Sequence, residues 1–274
     1  YMHPLPFNGV RSLIGAAGIL VYILISRKIA GDKAAKLDWK LNVRAGLLCG
    51  IFLTIASTLQ QFGIKYTSVG KAGFITTLYI IFVPMFGVFL KKKVAPVFWA
   101  ASGMAAVGMY LLCMTESLRL GAGDIMVFLC AIAFAIQIMT VDHYAARIDG
   151  AVVSCIQFTV CGVVCCIGAL IWGQPTFGQI QEGLGALLYA GVLSCGVGYT
   201  LQIVGQKGLN PTVAALIMSL ESVIATISGW IAYKIGFLST DQTLTPRQIA
   251  GCIIVFAAVI LVQLPPEWFR FGKK

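Results

Sequence analysis

The stretch Lys71–Lys93, "KAGFITTLYIIFVPMFGVFLKKK", has no charge between Lys71 and Lys91 and closes on three consecutive lysines. Its length suits the roughly 20 apolar residues that a helix needs to cross a bilayer. Three readings compete at this point: a buried helix of a soluble core, a lone anchor, or one span among many. The residues around it decide for the last.

Composition narrows the choice. A soluble domain carries about 25% charged residues. This chain of 274 residues carries 11%, with 59% hydrophobic residues and a mean hydropathy of +0.90. That leaves too little polar surface to coat a soluble particle, so the lipid bilayer is the expected solvent. The net charge of +10 does not point to nucleic acid, because the basic residues sit in short gaps between apolar runs rather than on one face. Nine cysteines, Cys49, Cys113, Cys130, Cys155, Cys161, Cys165, Cys166, Cys195 and Cys252, lie almost all inside apolar runs. His3 and His143 are near none of them. No metal or disulfide framework is expected, and the cysteines read as small packing residues.

Nine segments reach spanning length: 7–26, 45–64, 72–90, 96–114, 124–142, 151–172, 184–205, 212–233 and 247–264. Breakers such as Gly31-Asp32, Pro96, Asp149-Gly150, Asn210-Pro211 and Thr245-Pro246 separate them. Barrel strands would be short and alternating. These runs are continuous, so the expected fold is an all-α integral membrane protein.

The opening stretch then recurs. "STLQQFGIKYTSVGKAGFITTLYIIFVPMFGVFLKKK" from Ser57 aligns without a gap on "YTLQIVGQKGLNPTVAALIMSLESVIATISGWIAYKI" from Tyr199. Thr58-Leu59-Gln60 falls on Thr200-Leu201-Gln202, Gly63 on Gly205, Lys65 on Lys207, Ala72 on Ala214 and Gly87 on Gly229. The same register places Ser12 on Ser154 and, after an insertion, Pro96 on Pro246. The shared polar residues and glycines indicate duplication. The second copy has five helices and the first has four, so a helix before Tyr1 is expected, and ten in the complete protein. The expected domains are 1–115 and 116–274. Lys and Arg concentrate in alternate loops (Arg27 to Arg44, Lys91 to Lys93, Arg147, Lys207 and Arg270 to Lys274), which predicts those loops and the C-terminus to be cytoplasmic. An odd number of spans per copy makes the two five-helix repeats inverted, a recurrent plan of secondary transporters.

"PFNGVRSLIGA", "YTSVGKAGFITTLYIIFVPMFGVFL" and "NPTVAALIMSLESVIATISGWI" resemble the EamA-type members of the drug/metabolite transporter superfamily. The resemblance covers nearly the whole chain as two tandem units. It implies ten helices in two inverted halves around a central cavity, and transport of amino acids, related metabolites or drugs. Two departures stand out. The family's first helix is absent. Where many members end the fourth helix of each half in Gly-Glu, this chain has Leu90-Lys91 and Tyr233-Lys234.

No G-x-x-x-x-G-K-[ST], H-E-x-x-H or nucleophile elbow occurs, so neither a P-loop ATPase nor a recognisable hydrolase is expected. The expected function is secondary transport of a small organic solute by alternating access, as an exporter in the plasma membrane. An intramembrane enzyme or a non-transporting sensor or scaffold is the alternative. No cofactor is expected. The partners are the substrate, the lipid bilayer and protons as a coupling ion.

Polar residues inside spans are the candidate site, because each is costly in hydrocarbon unless it faces protein or water. Glu221 lies near mid-membrane and either binds an ammonium or proton or pairs structurally. Ser222 adds polarity beside it. Arg11 is either a snorkelling interfacial arginine or an anchor for a carboxylate. Gln60, with Gln61 beside it, and Gln202 occupy equivalent repeat positions, lining a cavity or bonding between helices. Gln137 and Gln157 are singletons. Tyr79 and Tyr199 either stack on a flat substrate or pack. Pro84 is expected to kink its helix and serve as a hinge, with no counterpart at Thr226. Gly46-x-x-x-Gly50 and the cluster Gly191, Gly196 and Gly198 are expected to allow close helix approach.

Overall fold

The computed structural model describes residues 3–31, 37–92, 94–114, 121–173, 177–236 and 242–264. Tyr1, Asp32, Lys93 and the tail Arg270 to Lys274, all used in the sequence argument, lie outside the described residues, as do Lys33 and Lys36 of the basic loop. Among the described residues there is no strand, and nine helices are long and apolar enough to span a membrane. They are α1 Pro4–Ala30, α2 Trp39–Ile64, α3 Val69–Phe89, α4 Pro96–Cys113, α5 Ala122–Ala145, α6 Gly150–Trp172, α7 Leu184–Gly205, α8 Pro211–Lys234 and α9 Pro246–Gln263. Each expected segment has its helix. Most extend beyond the apolar run, because turns at the water boundary tolerate polar residues.

Local chemistry sets the ends. Proline opens α1, α4, α8 and α9, where its missing N–H has no helical partner to lose. Ser68, Asp149, Asn210 and Thr245 accept backbone N–H groups at N-caps, and Thr245 with Gln248 completes a capping box. α3 breaks at Leu78 (ψ −10°) between Thr77 and Tyr79 and resumes through Pro84 to Phe89. The interruption thus lies six residues before Pro84, beyond the Ile80 carbonyl that the proline ring would crowd, and Pro84 itself sits within continuous helix. Its repeat counterpart α8 is unbroken. α7 is π-helical from Tyr189 to Gly198, and α6 ends in π-helical Ala169–Gly173.

The chain forms two compact units. Unit 1 comprises the described residues of 1–62 and 136–209, and unit 2 those of 63–135 and 210–274. Each takes helices from both sequence halves, and α5 contributes its first part to unit 2 and its second to unit 1.

In unit 1, α1 lies antiparallel along α6, its equivalent in the repeat register. Gly9 faces Cys166 and Gly162 faces Leu13 so closely that an added Cβ would sit 2.6 Å from a side-chain atom. Gly46 and Gly50 bring α2 onto Ile156 and Val160 of α6. Gly191 meets Ile14 and the Arg11 carbonyl, and a Cβ on Gly15 of α1 would lie 2.9 Å from the Gly191 carbonyl and 3.4 Å from the Gly196 nitrogen. A core of Ala45, Cys49, Val141, Tyr144, Val153 and Ile203 closes the unit's other end.

In unit 2 the equivalent helices α4 and α9 pair antiparallel, with Gly108 and Gly251 in mutual backbone contact. Antiparallel packing of equivalent helices is consistent with an inverted duplication. Met109, Leu112, Val223 and Val255 form one cluster, and Ala72, Ile75 and Val127 another. The outer faces carry rows such as Leu20, Val21, Leu24 and Ile25 on α1 and Ile253, Phe256 and Ile260 on α9, all exposed. Their natural covering is lipid.

Candidate functional site

Unit 1 holds a layer of neutral polar side chains inside its spans. Asn8 donates through Nδ2 to the Ser57 carbonyl at 3.0 Å. Ser12 Oγ donates to Cys161 Sγ at 3.5 Å, and Ser57 Oγ lies 3.6 Å from the same sulfur. Thr58 Oγ1 lies 3.7 Å from Cys165 Sγ. Cys161 and Cys165 therefore serve as polar partners as well as packing residues. Sequence reading missed this layer, because serine, threonine and cysteine at helical spacing look the same whether they bond across helices or to their own backbone.

Several amides in this unit are only half satisfied. Gln137 and Gln157, read as unrelated singletons, are both fully buried and meet through Nε2 of Gln137 and Oε1 of Gln157 at 3.4 Å. Their remaining atoms, Oε1 of Gln137 and Nε2 of Gln157, find no hydrogen-bond partner among the described residues, and neither does Oδ1 of Asn8. Arg11 is half-buried, its guanidinium 5.3 Å from the centre of the Phe7 ring and its buried Nε without a hydrogen bond. No ion pair reaches it among the described residues. Gln60 and Gln202 are half-buried on α2 and α7. Tyr199 packs its ring edge-on against Phe158, with centroids 5.3 Å apart.

Unit 1 also has a groove of about 660 Å³ between the late turns of α1, the start of α6 and the end of α7. Apolar Ile19, Ile23, Val197, Leu201 and Val204 line most of it, and Arg27 faces Asp149 across one end at 3.7 Å.

Unit 2 is built differently. Lys71, the charge that opens the quoted stretch, is buried in the first turn of α3. Its Nζ donates to Asp124 Oδ2 at 2.5 Å. Thr67 donates to the other carboxylate oxygen at 2.6 Å, and the Gly121 N–H donates to Oδ2 at 2.7 Å. Gly63 and Gly123 permit the approach, because a Cβ on Gly123 would lie 2.8 Å from the Gly63 carbonyl. The only signal in the sequence was an acid and a lysine each one turn inside an apolar run, far apart in the chain.

Of the remaining candidates, Tyr79 and Pro84 are buried in α3. Glu221 is exposed on α8, with no ion pair or hydrogen bond among the described residues, so the structural pairing considered for it is not seen. Ser222 is half-buried, and its carbonyl accepts from Thr226 at 2.8 Å.

Spanning helices that carry polar groups in their interiors define a polytopic membrane protein, and the family match makes it a transporter. The sequence profile of the EamA-like transporter family matches residues 1–114 and 121–264, and the chain belongs to that family, within the drug/metabolite transporter superfamily. It is 26% identical to an uncharacterized transporter of Archaeoglobus fulgidus over 96% of this chain and 78% of that one. It is 25% identical to the uncharacterized transporter YwfM of Bacillus subtilis, over 96% and 86%. A crystal structure superposes with a TM-score of 0.74 at 15% identity, over 98% of this chain and 90% of that one, which shows the shared fold.

Proposed function

We propose that this transporter exports a small organic solute, an amino acid or related metabolite, from the cytoplasm across the plasma membrane by alternating access. Two EamA units, 1–115 and 116–274, form its inverted halves, and the matched segments 1–114 and 121–264 support that division. The basic residues between alternate spans support a cytoplasmic C-terminus.

Glu221 carries this reading. It sits ten residues into α8, about 15 Å along the helix axis from Pro211, and it has no protein counter-charge among the described residues. An uncompensated carboxylate at that depth is costly unless it meets water, a cation or a proton. A substrate ammonium or a coupling proton supplies that charge. Arg11, with its unbonded Nε, suits a carboxylate in the same way. Gln60, Gln202, Ser222, Tyr79 and Tyr199 are the further proposed contacts, Gln137 joins them if its pair with Gln157 opens, and Pro84 is the proposed hinge.

Amino-acid counterflow in proteoliposomes tests this. Glu221→Gln keeps the side chain's shape and removes its charge. The variant should insert and melt like the parent and lose solute flux. Unchanged flux and unchanged pH dependence refute the assignment of Glu221.

A further inference from the structure

The groove of unit 1 has a form that a freely soluble zwitterion does not need. Its walls are apolar along most of their length, and Tyr22, Val197, Leu201 and Val204 are exposed on the outside of their helices at 60%, 48%, 62% and 53%. It runs from the middle of α1 and α7 to their ends at Ala30 and Val204. At that end stand two opposite charges, Arg27 and Asp149, with side chains 37% and 39% exposed. Their 3.7 Å separation is too long for a hydrogen bond. Asp149 spends Oδ1 on capping α6, accepting from Ala151 and Val152, and turns Oδ2 toward Arg27. A second cavity of about 430 Å³ shares Asp149, Gly150 and Val204 with the groove. It adds Asp38, Arg147 and Lys207, so the apolar channel opens into a polar chamber at Asp149.

We propose that this groove binds a phospholipid with a primary-ammonium headgroup, phosphatidylethanolamine in kind. An acyl chain lies along Ile19, Ile23, Val197 and Leu201. The phosphate meets the Arg27 guanidinium, whose fork of N–H donors matches phosphate oxygens. The ammonium donates to Oδ2 of Asp149, which Arg27 approaches only to 3.7 Å. A choline headgroup has no N–H to give that oxygen. A glycerol headgroup brings no cation and leaves the Asp149 charge facing the phosphate. The pattern therefore selects the ammonium lipid over both, and the bound lipid inserts its phosphate and ammonium between two charges that form no hydrogen bond with each other. This site is separate from the residues assigned to solute transport.

The test is native mass spectrometry of the full chain released from nanodiscs with equal amounts of dioleoyl phosphatidylethanolamine, phosphatidylcholine and phosphatidylglycerol. The ethanolamine lipid should be retained preferentially. Asp149→Asn should cut that preference about fivefold, the factor that one charge near the membrane surface contributes, and Arg27→Gln, which loses the phosphate contact common to the three lipids, should lower retention of each. Asparagine still caps α6, so Asp149→Asn should fold. Lys28→Gln, an adjacent exposed charge outside the groove, should change nothing. Leu201→Trp fills the groove from an exposed position, leaves both charges in place and should also lower retention. Equal retention of the three lipids overturns the proposal, as does a preference for the glycerol lipid. Retention that survives both charge variants, or survives Leu201→Trp, overturns it too.

Discussion

The main buried polar clusters of the two units are built differently. Unit 2 buries one charge pair, Lys71 with Asp124, and bonds both carboxylate oxygens, while Ser102 Oγ in the same unit is without a partner among the described residues and Glu221 stands exposed. Asp124 accepts from Lys71, Thr67 and the Gly121 backbone, with the two side chains 8% and 2% exposed. Unit 1 buries neutral groups and leaves them partly unsatisfied, in the Gln137–Gln157 pair and at Asn8. Its opposite charges, Arg27 and Asp149, stand apart at an exposed groove. A satisfied buried ion pair has one low-energy arrangement, because separating the partners strands a charge. Weak hydroxyl, thiol and amide contacts can exchange partners at little cost. The contrast suits a firm anchor around Lys71 and Asp124 in unit 2 and adaptable polar contacts in unit 1.

The largest expected effect tests the anchor. Lys71→Met or Asp124→Leu alone should destabilise the protein by about 3–5 kcal/mol, because each leaves one buried charge unpaired. The double variant should recover most of that loss. Thermal unfolding in detergent measures both, and single variants that melt like the parent break the comparison.

Close packing comes next. Gly108→Ala places a Cβ 2.9 Å from the Gly251 carbonyl and 2.9 Å from the Val255 nitrogen, backbone atoms that cannot rotate away. Gly162→Ala chiefly meets the Leu13 side chain, at 2.6 Å. Gly108→Ala should therefore cost about 1–3 kcal/mol and Gly162→Ala less. The reverse order in melting temperature would assign the tighter packing to unit 1.

A smaller effect belongs to the amide pair. Gln137→Leu removes the donor to Gln157 and should cost about 1 kcal/mol. Gln137→Leu with Gln157→Leu should return to parental stability or exceed it, because two unbonded polar atoms are removed with the bond. If that double variant keeps its stability and loses solute counterflow, the amides serve transport rather than packing. Smallest of all, Arg27→Gln should change stability by about 0–1 kcal/mol, as expected of a half-exposed, loosely spaced pair. A larger loss of melting temperature in lipid-free detergent would make that pair structural.

The nine spans were legible because hydrophobic length is a local property. Twenty apolar residues between breakers such as Asn210-Pro211 and Thr245-Pro246 mean a membrane helix whatever packs beside them. The repeat was legible for a similar reason, since Thr58-Leu59-Gln60 and Thr200-Leu201-Gln202 keep one register along the chain. Gly46-x-x-x-Gly50 was readable as a packing face and is one. The break at Leu78 was only half legible. Pro84 announces a distortion at its own turn, whereas the helix yields six residues earlier.

What the amino-acid sequence determined by itself is the nine spans seen among the described residues and the family, together with an internal register that suits a duplication. Tertiary structure decided which polar residues meet. Lys71 and Asp124 look like two interfacial charges, and Gln137 and Gln157 like two singletons. Pairing them requires knowing how α3 and α6 each lie against α5. It decided equally that Arg27 and Asp149 stand at the mouth of one groove and that Glu221 has no ion pair among the described residues. The physical reason is that hydropathy sums over consecutive residues, whereas compensation of charge and hydrogen bonds depends on distances of a few ångströms between helices remote in the chain.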